Sequence, residues 1–229
     1  MIDYLKDPQA IYSRSFECVR AATDLRDVPE ALRPVALRLV HACGMPEVVD
    51  DLQSRGDVAS AVRTALANGA PVLVDCEMLR HGIIRNRLPR DNVILCTLNE
   101  PDVRERATAL GTTRSAAAVE LWPPHLEGAV IAIGNAPTAL FRLIEGLAQG
   151  WPRPAAIVGF PVGFVGAAES KQALMESCDD IPCVVLRGRR GGSALAAAAI
   201  NACAASSESN NHANQEAKQE VDADVSAGS

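Results

Sequence analysis

The sequence predicts an α/β fold, a three-layer sandwich with a mostly parallel β-sheet and helices on both faces. Three observations predict it. Short β-rich runs alternate with helical patterns through most of the chain. The strand candidates are apolar throughout, as strands buried on both faces are. Each is flanked by Gly, Pro, Asn or Asp. With 48% hydrophobic and 22% charged residues among 229, the chain can bury a core without disulfides or metals.

In chain order, Ile11 to Phe16 lies in a helical N-terminal region. A second amphipathic helix runs from about Ala31 to Cys43, with Leu32, Val35, Leu39 and Val40 on one face and Gly44 as a left-handed stop. A helix from Val58 to Asn68 precedes the first strand, Val72 to Val74, and a second strand spans Val93 to Cys96. Helices from Asp102 to Leu110 and Arg114 to Leu121 lead to a strand from Val130 to Ile133. The remaining units are a helix Pro137 to Gln149, a strand Ala156 to Val158, a helix Ala167 to Ser177, a strand Cys183 to Leu186 and a helix Ser193 to Ala204. The fold is thus expected within residues 1–205. Residues 206–229, with five acids, one lysine and two valines as their only sizeable apolar side chains, are expected to form a disordered acidic tail.

Composition excludes several functions. The 22 basic against 28 acidic residues leave a net charge of −6, and only 3% of residues are aromatic, so no nucleic-acid partner is expected. No apolar run approaches the ~20 residues of a spanning helix, and Met1 to Asp7 lacks the pattern of a secretory leader, so no membrane role is expected. Seven cysteines sit in apolar runs with no C-x-x-C pair and no Cys/His cluster. They are expected to be reduced core thiols of a cytoplasmic protein, and no metal site is expected. The 19 arginines against 3 lysines suit a carboxylate-rich ligand, or reflect base composition alone.

Ligands of open parallel sheets sit outside the carboxyl ends of the strands. Those ends carry Asp75 with Glu77, Thr97, Gly134-Asn135, the loop after Val158, and Arg187 to Ser193. His41, in the last turn of the second helix, is placed where terminal carbonyls favour the imidazolium, which suits a general acid, and equally suits a simple cap. His81 is a second candidate for the rim, His125 falls in a surface turn and His212 in the tail.

The loop GFPVGFVGAAESK, residues 159–171, offers backbone amides, Ser170 and Lys171 to carboxylates. Pro161 breaks the dinucleotide glycine pattern, and the G-K-[ST] of a phosphate loop is absent. Phe160 and Phe164 are either core or a flat surface for a planar ligand. RGRRGGS, from Arg187 to Ser193, is either a second anion clamp or a solvated turn. Arg114 opposes the helix dipole in a first turn capped by threonines, a misfit that an anionic ligand would justify.

Six segments in order, IYSRSF at 11–16, VHACG at 40–44, TRSAAA at 113–118, AIGNAPTALF at 132–141, GFPVGFVGAAESK at 159–171 and RGRRGGSALAAAA at 187–199, resemble the precorrin-8X methylmutase family of corrin-ring biosynthesis. The resemblance covers almost the whole body and implies an isomerase without cofactor that moves a methyl group from C-11 to C-12 of a polycarboxylate tetrapyrrole, giving hydrogenobyrinic acid or its cobalt-containing equivalent. It carries the family's acid/base histidine onto His41 and a substrate-contacting serine onto Ser15. Further contacts are assigned to Tyr12, Arg14, Arg114, Ser115, Asn135, Thr138, Glu169, Ser170, Lys171 and Arg187. A symmetric homodimer with sites near the interface is also implied. Two other functions are weighed beside it: a nucleotide-dependent α/β enzyme using the Gly159 loop, and a corrinoid carrier that binds without converting.

Overall fold

A computed structural model of the chain describes residue 2 and residues 4–205. Strands β1 (Leu52–Arg55), β2 (Val72–Val74), β3 (Ile94–Cys96), β4 (Val130–Ile133), β5 (Ala156–Gly159) and β6 (Cys183–Leu186) form one sheet in the order β1-β6-β5-β4-β2-β3. The five expected strands run parallel to one another. The sixth, β1, escapes a search for apolar runs because Leu-Gln-Ser-Arg is polar; it lies antiparallel on the edge, with Leu52 opposite Leu186 and Arg55 opposite Cys183. The expected tail at 206–229 lies outside the described residues.

The helices are α1 (Pro8–Ala22), α2 (Arg33–Cys43), α3 (Val58–Ala67), α4 (Glu77–Gly82), α5 (Val103–Ala109), α6 (Arg114–Val119), α7 (Pro123–Leu126), α8 (Pro137–Ala148), α9 (Ala167–Ser177) and α10 (Ser193–Ala204). Every residue of β4 is buried, and successive side chains divide between two cores. Val130 and Ala132 join Val72, Val74, Ala156, Val158, Val184 and Leu186 beneath α3 and α10. Ile131 and Ile133 join Leu73, Ile157 and Val185 beneath α8, α9 and the segment around Trp122. Helices on both faces therefore enclose the sheet as expected.

One pair of helices lies outside the three layers. Small side chains let α10 sit buried along its length except at Ala194, with the sheet on one side and α2 on the other, and α1 packs on α2. Asn201 is the polar group inside α10. Its Oδ1 accepts the Ile84 N–H (2.8 Å) and its Nδ2 donates to the Gly82 carbonyl (2.9 Å), which closes the end of α4.

Three features bring the functional elements to one edge. Gly134, just past β4, leaves no room for a Cβ, which would lie 2.8 Å from Ser193 Cα, so the start of α10 abuts the end of β4. Gly44 ends α2 at φ 69°, as expected. A 3-10 segment, Pro46–Asp51, then joins α2 to β1, whose first residue pairs with the last residue of β6. The end of α2 thus reaches the carboxyl rim of the sheet, where Arg187 Nη2 donates to the Asp50 carbonyl (2.8 Å) and Arg190 pairs with Glu47 (3.8 Å) and Asp51 (3.5 Å).

Two expectations are corrected here. Thr97 is not on the rim: it is buried, donates to the Ala118 carbonyl (2.8 Å) and accepts from Trp122 Nε1 (3.0 Å). All seven cysteines are free, but Cys18 is exposed and Cys43 half-buried, so only five are core thiols. Among the described residues no helix is long and apolar enough to cross a membrane.

Candidate functional site

Tyr12, Ser15 and Phe16 share one face of α1 by their three- and four-residue spacing, and Arg38 and His41 share one face of α2 in the same way. The two faces meet. Ser15 Oγ lies 3.0 Å from His41 Nδ1. Phe16 stacks on the imidazole with centroids 4.7 Å apart, and Tyr12 approaches edge-on at 6.2 Å. Arg38 donates to the Tyr12 hydroxyl (2.9 Å) while its guanidinium lies 4.7 Å from the Phe16 centroid. Sequence reasoning missed Arg38, whose one signal was its position three residues before His41. Arg14 points elsewhere on α1, into an exposed ion pair with Glu17 at 2.9 Å.

His41 is exposed, and among the described residues its Nε2 has no hydrogen-bond partner. The expectation that the helix end holds a proton on this ring is corrected. Partial burial, and then the positive charge of Arg38, hold its pKa below the ordinary 6.5. Both effects favour the neutral imidazole.

The rim gathers a second group. Asp75, buried at the end of β2, accepts the N–H groups of Gly134 (2.9 Å), Asn135 (2.9 Å) and Ala136 (2.7 Å). Burial raises its carboxyl and those three donors oppose the rise. In the first turn of α8, Thr138 Oγ1 lies 2.7 Å from Thr113 Oγ1, which caps α6 by accepting the Ala116 N–H (3.2 Å). Arg114, Ser115, Asn135 and Thr138 are thereby brought to adjoining elements. Arg114 needs no ligand to justify its place, because it donates to the Leu98 carbonyl (3.2 Å) and Asn99 Oδ1 (3.0 Å). The Val162 N–H reaches the Asn135 carbonyl (3.5 Å) and extends the rim to the β5–α9 loop. There Phe160 is core, whereas Phe164 is 83% exposed with the Arg189 guanidinium 4.9 Å from its centroid.

The anion-clamp reading of α9 is corrected in part. Ser170 is fully buried and donates to the Ala167 carbonyl (3.2 Å), while Glu169 is exposed beside it. Lys171 is 1% exposed and donates to the Arg190 carbonyl (2.6 Å), tying α9 to the turn after β6. Desolvation brings its pKa down to about 8. Lys171 and Arg187 line one cavity of about 370 Å³ together with Gln53 and Glu176, between α9 and the β1–β6 edge. His81 stays on its own helix, with Nδ1 at 2.8 Å from the Glu77 carbonyl, and His125 is exposed on α7, ahead of β4. Among the described residues no three His, Cys, Asp or Glu side chains could hold a metal ion.

The model of the family described as precorrin-8X methylmutase matches residues 10–206. The precorrin-8X methylmutase of Pseudomonas aeruginosa is 56% identical over 208 residues, covering 91% of this chain and 100% of that relative. The cobalt-precorrin-8 methylmutase of Methanothermobacter thermautotrophicus is 38% identical over 201 residues, covering 86% and 93%. A solved structure of precorrin-8x methyl mutase from Thermus thermophilus superimposes with a TM-score of 0.78 at 37% identity, covering 86% of this chain and 94% of that one.

Proposed function

The chain belongs to the precorrin-8X methylmutase family, isomerases of cobalamin biosynthesis, and from that premise we propose that it moves a methyl group from C-11 to C-12 of precorrin-8X to give hydrogenobyrinic acid, with His41 as the acid/base. The observation that carries the assignment is the 3.0 Å contact between Ser15 Oγ and His41 Nδ1, which orients the ring and leaves Nε2 for substrate. The 56% identity to a relative named without cobalt, against 38% to one named with it, supports the metal-free macrocycle as substrate.

The substrate's carboxylates bring negative charge to a site that carries Arg38. They offset the charge of Arg38 and raise the proton affinity of His41 as the complex forms. A proton on Nε2 is then shared with a ring nitrogen, which draws electron density from the conjugated system. The bond from the methyl group to C-11 breaks as its bond to C-12 forms, the proton returns to His41, and no atom or electron is gained or lost overall. Arg38 and the rim fix the macrocycle against the imidazole, so that proximity and orientation carry much of the rate.

A symmetric homodimer belongs to the same reading. Ile11 and Tyr12 on α1, Met45 just past α2, and Phe164 and Val165 on the β5–α9 loop remain exposed, apolar surface that a second copy would cover. Seven unpaired cysteines support a reducing cytoplasm, and a net charge of −6 argues against nucleic acid as partner. The test is turnover of metal-free and cobalt-loaded precursors, followed by visible absorption, by the native chain and His41→Ala. A variant turning over near the native rate sinks the acid/base role. Preference for the cobalt form sinks the substrate assignment, and binding without spectral conversion would make the chain a carrier.

A further inference from the structure

The chain leaves β2 toward β3 on one side of the sheet and reaches β4, β5 and β6 on the other, so the gap between the ends of β2 and β4 is the topological switch point. In open α/β sheets an anionic ligand gathers in that crevice, on the free N–H groups of a helix start. Here the place is filled from within. The residue before α8 is Ala136, which has no capping side chain, and Asp75 from the end of β2 serves instead.

Its two oxygens accept three consecutive N–H groups, from Gly134, Asn135 and Ala136, at 2.7 to 2.9 Å, and the residue is 4% exposed. A local cap satisfies one or two such donors, and an apolar residue at this position would leave all three without a partner. Three bonds to one buried carboxylate fix three successive peptide planes. They fix the backbone from which the Asn135 side chain leaves, and Thr138 sits two residues beyond the last of them, against Thr113.

We propose that Asp75 is a positioning residue for the methyl shift: its carboxylate occupies the anion position at the start of α8, holding Asn135 and Thr138 to the macrocycle and denying that place to a nucleotide phosphate. The proposal rests on the reading that Asn135 and Thr138 touch substrate. It requires that loss of the carboxylate weaken substrate binding more than turnover, and that a small carboxylate replace it.

The experiment compares kcat and KM for the tetrapyrrole in the full chain and in Asp75→Ala, Asp75→Asn, Asn135→Ala and Thr138→Val, each with and without formate, with chloride at equal ionic strength as control. Asp75→Ala and Asp75→Asn are expected to raise KM about tenfold or more while kcat stays within about threefold. Formate should lower the KM of Asp75→Ala saturably and leave the native chain unchanged. If Asn135→Ala and Thr138→Val leave KM unaltered, the substrate-contact reading fails. If they raise KM and the Asp75 variants do not, the positioning role alone is overturned. It is also overturned if formate restores the melting temperature of Asp75→Ala without restoring KM, or if neither Asp75 variant folds, since the carboxylate would then serve stability only.

Discussion

Replacing Ser15 with Ala removes one hydroxyl from a half-buried position and leaves the stacking of Phe16 on His41 in place. The imidazole keeps its neighbours and loses a single bond at Nδ1. Because the group is accessible to water, the loss strands no buried donor, and the cost is that of an ordinary hydrogen bond, about 0.5–1.5 kcal/mol. Expressed wholly in the transition state, that predicts a fall in kcat of roughly 2- to 13-fold, at about 1.4 kcal/mol per factor of ten. Removal of His41 itself should cost roughly 10² to 10⁴, the usual contribution of a positioned general acid or base. The assay is the initial rate of visible spectral change at saturating substrate, with a thermal melt to show that the variant is folded. A loss for Ser15→Ala as large as that for His41→Ala would refute the reasoning, because the hydroxyl would then lie in the proton path and not beside it. A rate indistinguishable from the native one would deny it any part in orienting the ring.

Three further outcomes follow from charges and caps. With the pKa of His41 held below 6.5, kcat/KM should fall as pH rises through a break below that value; Arg38→Gln should move the break upward, and a pH profile unmoved by the substitution would show that Arg38 does not act on His41. Lys171 has a folded pKa of about 8 against an ordinary 10.5, so between those values the unfolded chain binds more protons and stability should rise with pH; denaturant melts of Lys171→Met should lose that slope. On β1, Arg55 donates to the carbonyls of Leu174 (3.4 Å), Met175 (2.6 Å), Cys178 and Ile181 (3.4 Å) and so caps the end of α9. Arg55→Ala should therefore cost about 3 kcal/mol and lower Tm by roughly 6–12 °C, with KM unchanged.

The parallel strands were legible because each is an unbroken apolar run, which is what burial on two faces demands of a sequence. The same criterion hid β1, an edge strand with one neighbour, and α4 was hidden because its six residues make fewer than two turns, too few for an amphipathic pattern to repeat. At the site, His41 stood out by its place at a helix end and Ser15 came with the family resemblance, and the geometry sets them 3.0 Å apart. Arg38 was hidden because attention to the apolar face of α2 passes over its polar one. Arg114 misled for a different reason: opposition to a helix dipole marks a cation that needs a partner, and Leu98 and Asn99 supply it from a loop that no pattern linked to α6. Helix position alone favours the imidazolium at His41, whereas partial burial and the guanidinium three residues away lower its pKa.

The Ser15–His41 pair stands on α1 and α2, and α10 packs between α2 and the strands. For the macrocycle to meet His41 and the rim at once, the two must keep a fixed relation, and the structure makes that joint at Arg190. Its side chain reaches Glu47 and Asp51 in the segment after α2, and its carbonyl receives the Lys171 amine. The ion pairs are 3.5 and 3.8 Å long with about two-fifths of the arginine side chain exposed, the kind worth about 0–1 kcal/mol. Arg190→Met should therefore lower Tm by no more than roughly 2–4 °C while raising KM severalfold, because a joint weak in energy still sets the distance between two halves of a site. Unchanged kinetics in a folded variant would mean that α2 is held to the rim by its packing on α10 alone, and that the charges after it only decorate the surface.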